Sequence, residues 1–243
     1  MNIDYTRYYS RFHADTPEHL AVMRSYYHLL LGAYLPADRA AAVLDVGCGM
    51  GFALQTLREL GYTELIGVDV DEGQVAAARR RNLPVELITD SRIWLEARPE
   101  CFDLILATDV IEHLPSTEQL GLVRAISGAL RPGGRLLCTV PNASSALASH
   151  WRHNDWTHHD SFTTHSLDFL LFNGGFHDIQ VLAADTNRPP RWWWCRPNRS
   201  WCYWLAFHFF RRFRRLELMT ELGPAAGRAV PLSLNLLGIA RKA

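Results

Sequence analysis

Residues 108–114, Thr-Asp-Val-Ile-Glu-His-Leu, set Asp109, Glu112 and His113 within a few positions of one another. On a helical turn, side chains three and four apart share a face, so these three can meet. Two acids beside an imidazole suit a divalent cation, or a base that takes the proton of an acceptor hydroxyl. A second polar cluster, 149–167, holds five of the eleven histidines, His158 among them. Upstream, Asp45 precedes Gly47, Gly49 and Gly51. Closely spaced glycines cost backbone entropy, so a ligand that touches backbone is implied. The spacing differs from the G-x-G-x-x-G of dinucleotide sites, and a carboxylate ahead of it would repel a pyrophosphate. It suits a ligand with an amine or a positive charge. Asp69, 18 residues past Gly51, can accept hydrogen bonds from ribose hydroxyls.

The elements that must position these residues alternate. Short apolar runs at 41–46, 64–70, 84–89, 102–108, 135–140, 177–184 and 232–242 read as strands. Helical spacing follows at 52–60, 72–81, 116–130 and 166–176. Ser116 is expected to cap the third of these helices, and Arg131–Gly134 to end it and turn the chain. Such alternation implies an α/β fold with a mainly parallel sheet and helices on both faces. Ligands then bind outside the carboxyl ends of the strands, where the glycine loop and the Asp109–His113 segment both fall.

The chain has 243 residues, enough for one large α/β domain or a domain with an insertion. Lysine plus arginine and aspartate plus glutamate balance at 25 each, so no nucleic-acid partner is expected. Cys48, Cys101, Cys138, Cys195 and Cys202 show no C-x-x-C spacing and read as reduced thiols of a cytoplasmic protein. The first residues lack the apolar core of a signal peptide. No apolar run reaches the ~18 residues of a membrane span.

The segments VLDVGCGMG, GVDVD, FDLILATDVIEHL and LRPGGRLLCTVPN, in that order, resemble class I S-adenosylmethionine-dependent methyltransferases over roughly residues 40–182. The resemblance implies a three-layer, Rossmann-like, seven-stranded, mostly parallel sheet whose last strand is antiparallel. It implies S-adenosyl-L-methionine as cofactor. Gly47, Gly49, Gly51 and Asp45 would hold its methionine end, Asp69 its ribose, and Val70 would flank the adenine. Asp90 and Ser91 match the position that contacts the adenine amine, and Thr108 would lie close to the sulfonium. Asp109–Val–Ile–Glu112–His113 is similar to the E-x-x-E-H segment of ubiquinone-pathway O-methyltransferases and of small-RNA 2′-O-methyltransferases. By that resemblance Asp109, Glu112, His113 and His158 form a site for Mg²⁺ or another divalent cation. Asp109 departs from the pattern, being one methylene shorter than glutamate. Without a cation, His113 serves as base or substrate-orienting group, with Glu112 and His158 beside it, or has a structural role.

The core is thus expected at 41–184, with the final strand at 231–243 and an N-terminal cap segment over 1–40. Tyr5, Tyr8 and Tyr9 of that segment suit either a cover for the pocket or a surface helix packed on the core. The insertion 185–230 is the least family-like part. Five tryptophans fall within 188–218, and Arg211, Arg212, Arg214 and Arg215 follow an almost wholly apolar run. That pattern suits a buried helix with solvated arginines, a protein contact, or peripheral membrane contact through 201–215 at the inner face of the membrane. The acceptor expected is a small molecule or glycan. O-methylation of a sugar or lipid-linked hydroxyl leads, ahead of a quinone precursor, other C- or N-transfer, or a non-catalytic binding module.

Overall fold

The apolar runs become seven strands of one sheet. They are β1 (Val43–Val46), β2 (Leu65–Asp69), β3 (Val85–Leu87), β4 (Phe102–Thr108), β5 (Leu130–Pro141), β6 (Phe176–Ala183) and β7 (Asn235–Lys242). The computed structural model describes residues 7, 9–185 and 199–243. Tyr5, Tyr8, Cys195 and the first three tryptophans of the insertion lie outside the described residues.

The strand order is β3-β2-β1-β4-β5-β7-β6. Pairs from β3 through β5 are parallel, and β7 runs antiparallel to both its neighbours, β5 and β6. This agrees with the sheet the resemblance implies. All four residues of β1 are buried, as for a central strand covered on both faces.

Alternation along β4 shows how both faces are filled. Ile105 and Ala107 join one apolar cluster, with Leu122, Val123 and Ile126 of α5 (Ser116–Ala129) and Leu167 and Leu171 of α7 (Thr164–Asn173). Leu104 and Leu106 point the other way, because successive strand side chains alternate. They meet Leu30 and Leu31 of α1 (Pro17–Leu31) and Ala53 and Leu57 of α2 (Phe52–Glu59). Among the described residues the remaining helices are α3 (Glu72–Arg80), α4 (Ser91–Glu96), α6 (Ala148–Asn154), α8 (Arg199–Leu222) and α9 (Pro224–Ala229).

Three expectations change in detail. Pro115, not Ser116, occupies the cap position of α5, and no side chain caps that end. Proline there is extended (ψ 145°), so the helix starts directly after it and Ser116 already lies inside it. The Arg131–Gly134 segment does not stand between helix and strand but lies within β5. There the register jumps from Phe102–Leu130 to Leu104–Arg135, and Gly133 at φ +76° absorbs the extra residues as a bulge. The third change is at α7, which begins at Thr164. Thr163 and Ser166 form a reciprocal capping box, each side chain bonding the other's backbone N–H.

β1 and β4 are neighbours at the point where strand order reverses. The crevice outside their carboxyl ends is therefore where a ligand is expected. Two loops border it, the glycine loop after β1 and residues 109–114 after β4. The second loop contains a 3₁₀ turn over Ile111–His113.

Candidate functional site

A cleft of about 640 Å³ opens at that switch point. Gly47, Gly49, Asp69, Val70, Asp90, Ser91 and Thr108 all line it. Asp45 and Gly51 do not. Gly51, at φ +78°, precedes α2, and a Cβ there would stand 2.5 Å from Leu83 Cδ1. Its bareness serves the close packing of α2 on the end of α3. Gly49 is different. Its N–H donates to Asp69 Oδ2 at 2.8 Å, and an added Cβ would stand 2.7 Å from Gln74 Oε1 at the cleft wall. Asp69 Oδ1 accepts from Asp71 N at 2.8 Å, so one carboxylate ties the loop after β1 to the loop after β2. Asp90 caps α4 by accepting from Ile93 N at 3.0 Å.

Asp45 is 1 % exposed, and its Oδ1 has no hydrogen-bond partner. Burial, and then the nearby charge of Asp69, push its pKa up to about 8. A buried, under-satisfied carboxyl is costly unless a cation or donor arrives. Burial also raises the Asp69 pKa, against the lowering effect of the Asp71 and Gly49 N–H groups. A cleft lined by Asp69, with Asp45 buried near it, fits a ligand that carries positive charge and hydroxyls, as S-adenosylmethionine does.

A second cavity of about 530 Å³ adjoins the first. Tyr9, Asp109 and His113 line both. Glu112 and His158 line the second, with Tyr26, Trp151 and Phe207 as aromatic walls. One ligand atom each from Glu112, His113 and His158 fall within 4.8 Å of one another. Glu112 is completely buried, and neither carboxyl oxygen has a hydrogen-bond partner. Burial foremost, then the charge of Asp109, raises its pKa well above the usual carboxylate range. The His113 pKa is pushed down to about 4 by burial and by His158, and burial also lowers that of His158. Two imidazoles shifted toward the unprotonated form and a buried carboxyl that a cation would ionise are a donor set that fits a divalent cation.

Asp109, expected in the same set, lies outside it. Its φ of +55° turns the chain away before the 3₁₀ turn begins, so Asp109, Glu112 and His113 do not share a helical face. Its Oδ1 instead accepts from Thr139 Oγ1 at 2.9 Å and from Asn235 Nδ2 at 2.8 Å.

Several lining groups carry no signal in the sequence. Gln74 lies inside α3 and is unremarkable there, yet its Oε1 faces Gly49. Trp151 and Asp155 sit in a polar run without periodicity, and Asn235 arrives from β7. Phe207 and Arg211 bring α8 to the rim of the second cavity, where Asp185 holds Arg211 at 2.9 Å.

A glycine loop after β1, an aspartate at the end of β2 and this strand order agree with the fold expected of class I methyltransferases. The chain belongs to the methyltransferase-domain family, whose model matches residues 18–218. A ubiquinone biosynthesis O-methyltransferase of Dinoroseobacter shibae is 33% identical over 104 residues, 41% of this chain and 41% of the relative. One from Xanthomonas campestris pv. campestris is 31% identical over 111 residues, 44% of this chain and 45% of the relative. The matched stretch therefore spans less than half the length of these relatives. Among solved structures, a SAM-dependent methyltransferase from Archaeoglobus fulgidus superposes with a TM-score of 0.64 at 20% identity, covering 90% of this chain and 94% of that one. A phosphoethanolamine N-methyltransferase 2 of Haemonchus contortus, solved with S-adenosyl-L-methionine, gives 0.57 at 18% identity, covering 94% and 58%. These two likenesses show the fold.

Proposed function

We propose that the protein transfers a methyl group from S-adenosylmethionine to a hydroxyl of a small-molecule acceptor, assisted by a divalent cation. The observation that carries this reading is the meeting of two cavities at His113, with Glu112 and His158 beside it. The relatives' names support oxygen as the accepting atom.

In this reading the first cleft takes the cofactor, which supplies a methyl group on a sulfonium when bound. Gly47 and Gly49 admit its methionine end beside Asp45. Asp69 binds the ribose, Val70 flanks the adenine, Asp90 and Ser91 meet its amine, and Thr108 stands by the sulfonium. Gly51 packs the helix that carries the loop. Glu112, His113 and His158 would hold a divalent cation, Mg²⁺ or another, which would supply Lewis-acid activation of an acceptor hydroxyl. Tyr26, Trp151 and Phe207 hold the body of the acceptor and keep water out. An apolar ring with a hydroxyl suits these walls better than a bare saccharide. Much of the acceleration then comes from positioning two reactants across one junction.

The test is a calorimetric titration with S-adenosylhomocysteine, with and without Mg²⁺, followed by turnover of a phenolic acceptor before and after chelation. Micromolar binding and loss of turnover on chelation are expected. No binding in either condition sinks the reading, and full turnover after exhaustive chelation removes the cation from it.

The geometry of α8 favours a second element, work at a lipid surface. Tyr203, Leu205, Phe209, Phe210, Phe213 and Leu216 are each more than half exposed. At 3.6 residues per turn they span an arc of roughly 160°. Exposed Arg212 borders one edge, and Arg214, paired with Glu217 at 2.6 Å, the other. An apolar arc edged by arginines suits the boundary of an anionic bilayer. Among the described residues no helix is long and apolar enough to cross a membrane. Arg211 lines both the acceptor cavity and a groove of about 1040 Å³ along α8. An acceptor with an apolar tail can therefore pass from lipid to the site. The protein should co-sediment with vesicles containing anionic lipid, and Phe209→Asp/Phe213→Asp should lose that binding. Absence of binding at low salt rules the element out.

A further inference from the structure

We infer that Thr157 and Asp155 are positioning residues that fix the tautomer of His113, placing its proton on Nδ1 and leaving the lone pair on Nε2. Three short bonds carry the inference. Thr157 Oγ1 lies 2.6 Å from Asp155 Oδ1 and 2.8 Å from His113 Nδ1. The same Asp155 oxygen accepts from Thr157 N at 2.8 Å. A hydroxyl has one proton to give, and a carboxylate only accepts. The Thr157 proton therefore goes to Asp155. Oγ1 then faces His113 with lone pairs alone, so the imidazole must donate from Nδ1.

A neutral imidazole has one N–H. With that N–H on Nδ1, only Nε2 can give a lone pair to a cation or take a proton from an acceptor. His158 repeats the arrangement with another partner. Its Nδ1 is 3.2 Å from the Trp151 carbonyl oxygen, which can only accept. Both imidazoles of the cluster thus carry the same proton placement, each set by a group behind it. Such outer partners orient a histidine and raise its basicity, and their loss typically lowers metal affinity or activity by about 10–100-fold.

The local fold explains why these residues are available. Asp155 ends α6 in an extended conformation, and its side chain closes a turn onto the N–H two residues on. That turn holds Thr157 rigidly against His113, 44 residues away in sequence. Asp155 is 6 % exposed, so water does not compete for it.

The consequence for catalysis rests on the methyl-transfer reading, but the tautomer does not. It is read in the ligand-free protein by long-range ¹H–¹⁵N correlation of histidine-labelled samples at neutral pH. The His113 signals are identified by their absence in His113→Gln. The wild type is expected to show a protonated Nδ1 and an unprotonated Nε2 at His113. Thr157→Val should lose that pattern and lower kcat by about 10–100-fold, with S-adenosylhomocysteine affinity unchanged, whereas Thr157→Ser should restore both. A protonated Nε2 in the wild type overturns the inference, as does an unchanged pattern in Thr157→Val. The wild-type spectrum decides alone if the valine variant does not fold. Loss of S-adenosylhomocysteine binding would sink the methyl-transfer reading and leave the tautomer result standing.

Discussion

Glu112→Leu is expected to lower methyl transfer by at least about a hundredfold while making the ligand-free protein more stable by about 1–3 kcal/mol. The two effects come from one fact. Glu112 is completely buried and neither carboxyl oxygen has a partner, so the folded protein gains nothing from the carboxyl itself. Removing an unsatisfied buried polar group recovers the cost of its lost hydration. A leucine has similar volume and leaves no polar atom stranded at this fully buried position. The carboxylate that would join His113 and His158 around a cation is gone, however, and two imidazoles alone hold a hard divalent ion poorly. Denaturant titration gives the stability, and single-turnover methyl transfer gives the rate. A variant that is destabilised yet fully active would make Glu112 a structural residue and end the cation reading.

The second large effect is at Asp45. Asp45→Asn should weaken S-adenosylhomocysteine binding by roughly 10–100-fold, the worth of a charge-assisted hydrogen bond of about 1.5–3 kcal/mol. The pH dependence gives an independent check. The folded-state pKa of Asp45 is about 8, against an ordinary value of 3.8. Between those values the folded protein keeps a proton that the unfolded chain has lost. Stability from this group is therefore fully present at low pH and falls as pH rises through the window, flattening above about 8. Asn cannot titrate, so the difference in melting temperature between variant and wild type should grow in the variant's favour from pH 5 to 8. Ligand binding should show the mirror image in the wild type. An ammonium beside Asp45 favours the ionised carboxylate, so affinity should rise with pH toward 8 and stay flat in Asp45→Asn. His113 acts in the opposite sense at lower pH. Its folded pKa of about 4 lies below the ordinary 6.5, so stability is lost as pH falls through that interval. A variant comparison at one position separates the two. Equal affinity in Asp45→Asn and wild type at every pH would remove Asp45 from the cofactor site.

The strands and the glycine loop were legible because their signals are local. Apolar runs of a few residues between turn residues give β1, β2 and β4, and the loop spacing gives the cleft. Glu112 and His113 were legible as neighbours, whereas His158 came only through the resemblance. Spacing alone puts Asp109 on a helical face with Glu112 and His113, whereas the backbone takes a positive φ there and the carboxylate bonds Thr139 and Asn235. Thr157 and Asp155 had no signal at all. They lie in Asn-Asp-Trp-Thr-His, a polar run without period, and their role depends on a contact 44 residues distant. The bulge over Arg131–Gly134 looked like a loop because glycines mark both. The outward face of α8 could not be read either. A helix apolar nearly all round is normally buried, and only the packing shows which side lacks a partner.

The place of β7 between β5 and β6 has a consequence for how the chain is made. As the chain is synthesised, β5 and β6 emerge well before the strand that joins them. Until residues 235–242 arrive, β5 has an unpaired edge from Leu136 to Val140, apolar but for Thr139, and β6 has no place in the sheet. Such an open edge is a template for pairing with another chain. β7 closes it by contacts far apart in sequence, which form slowly. The same event brings Asn235 to Asp109. The nascent protein is thus most exposed to aggregation in the interval when the second cavity, lined by Asn235, is still unfinished, and both conditions end with the docking of one strand.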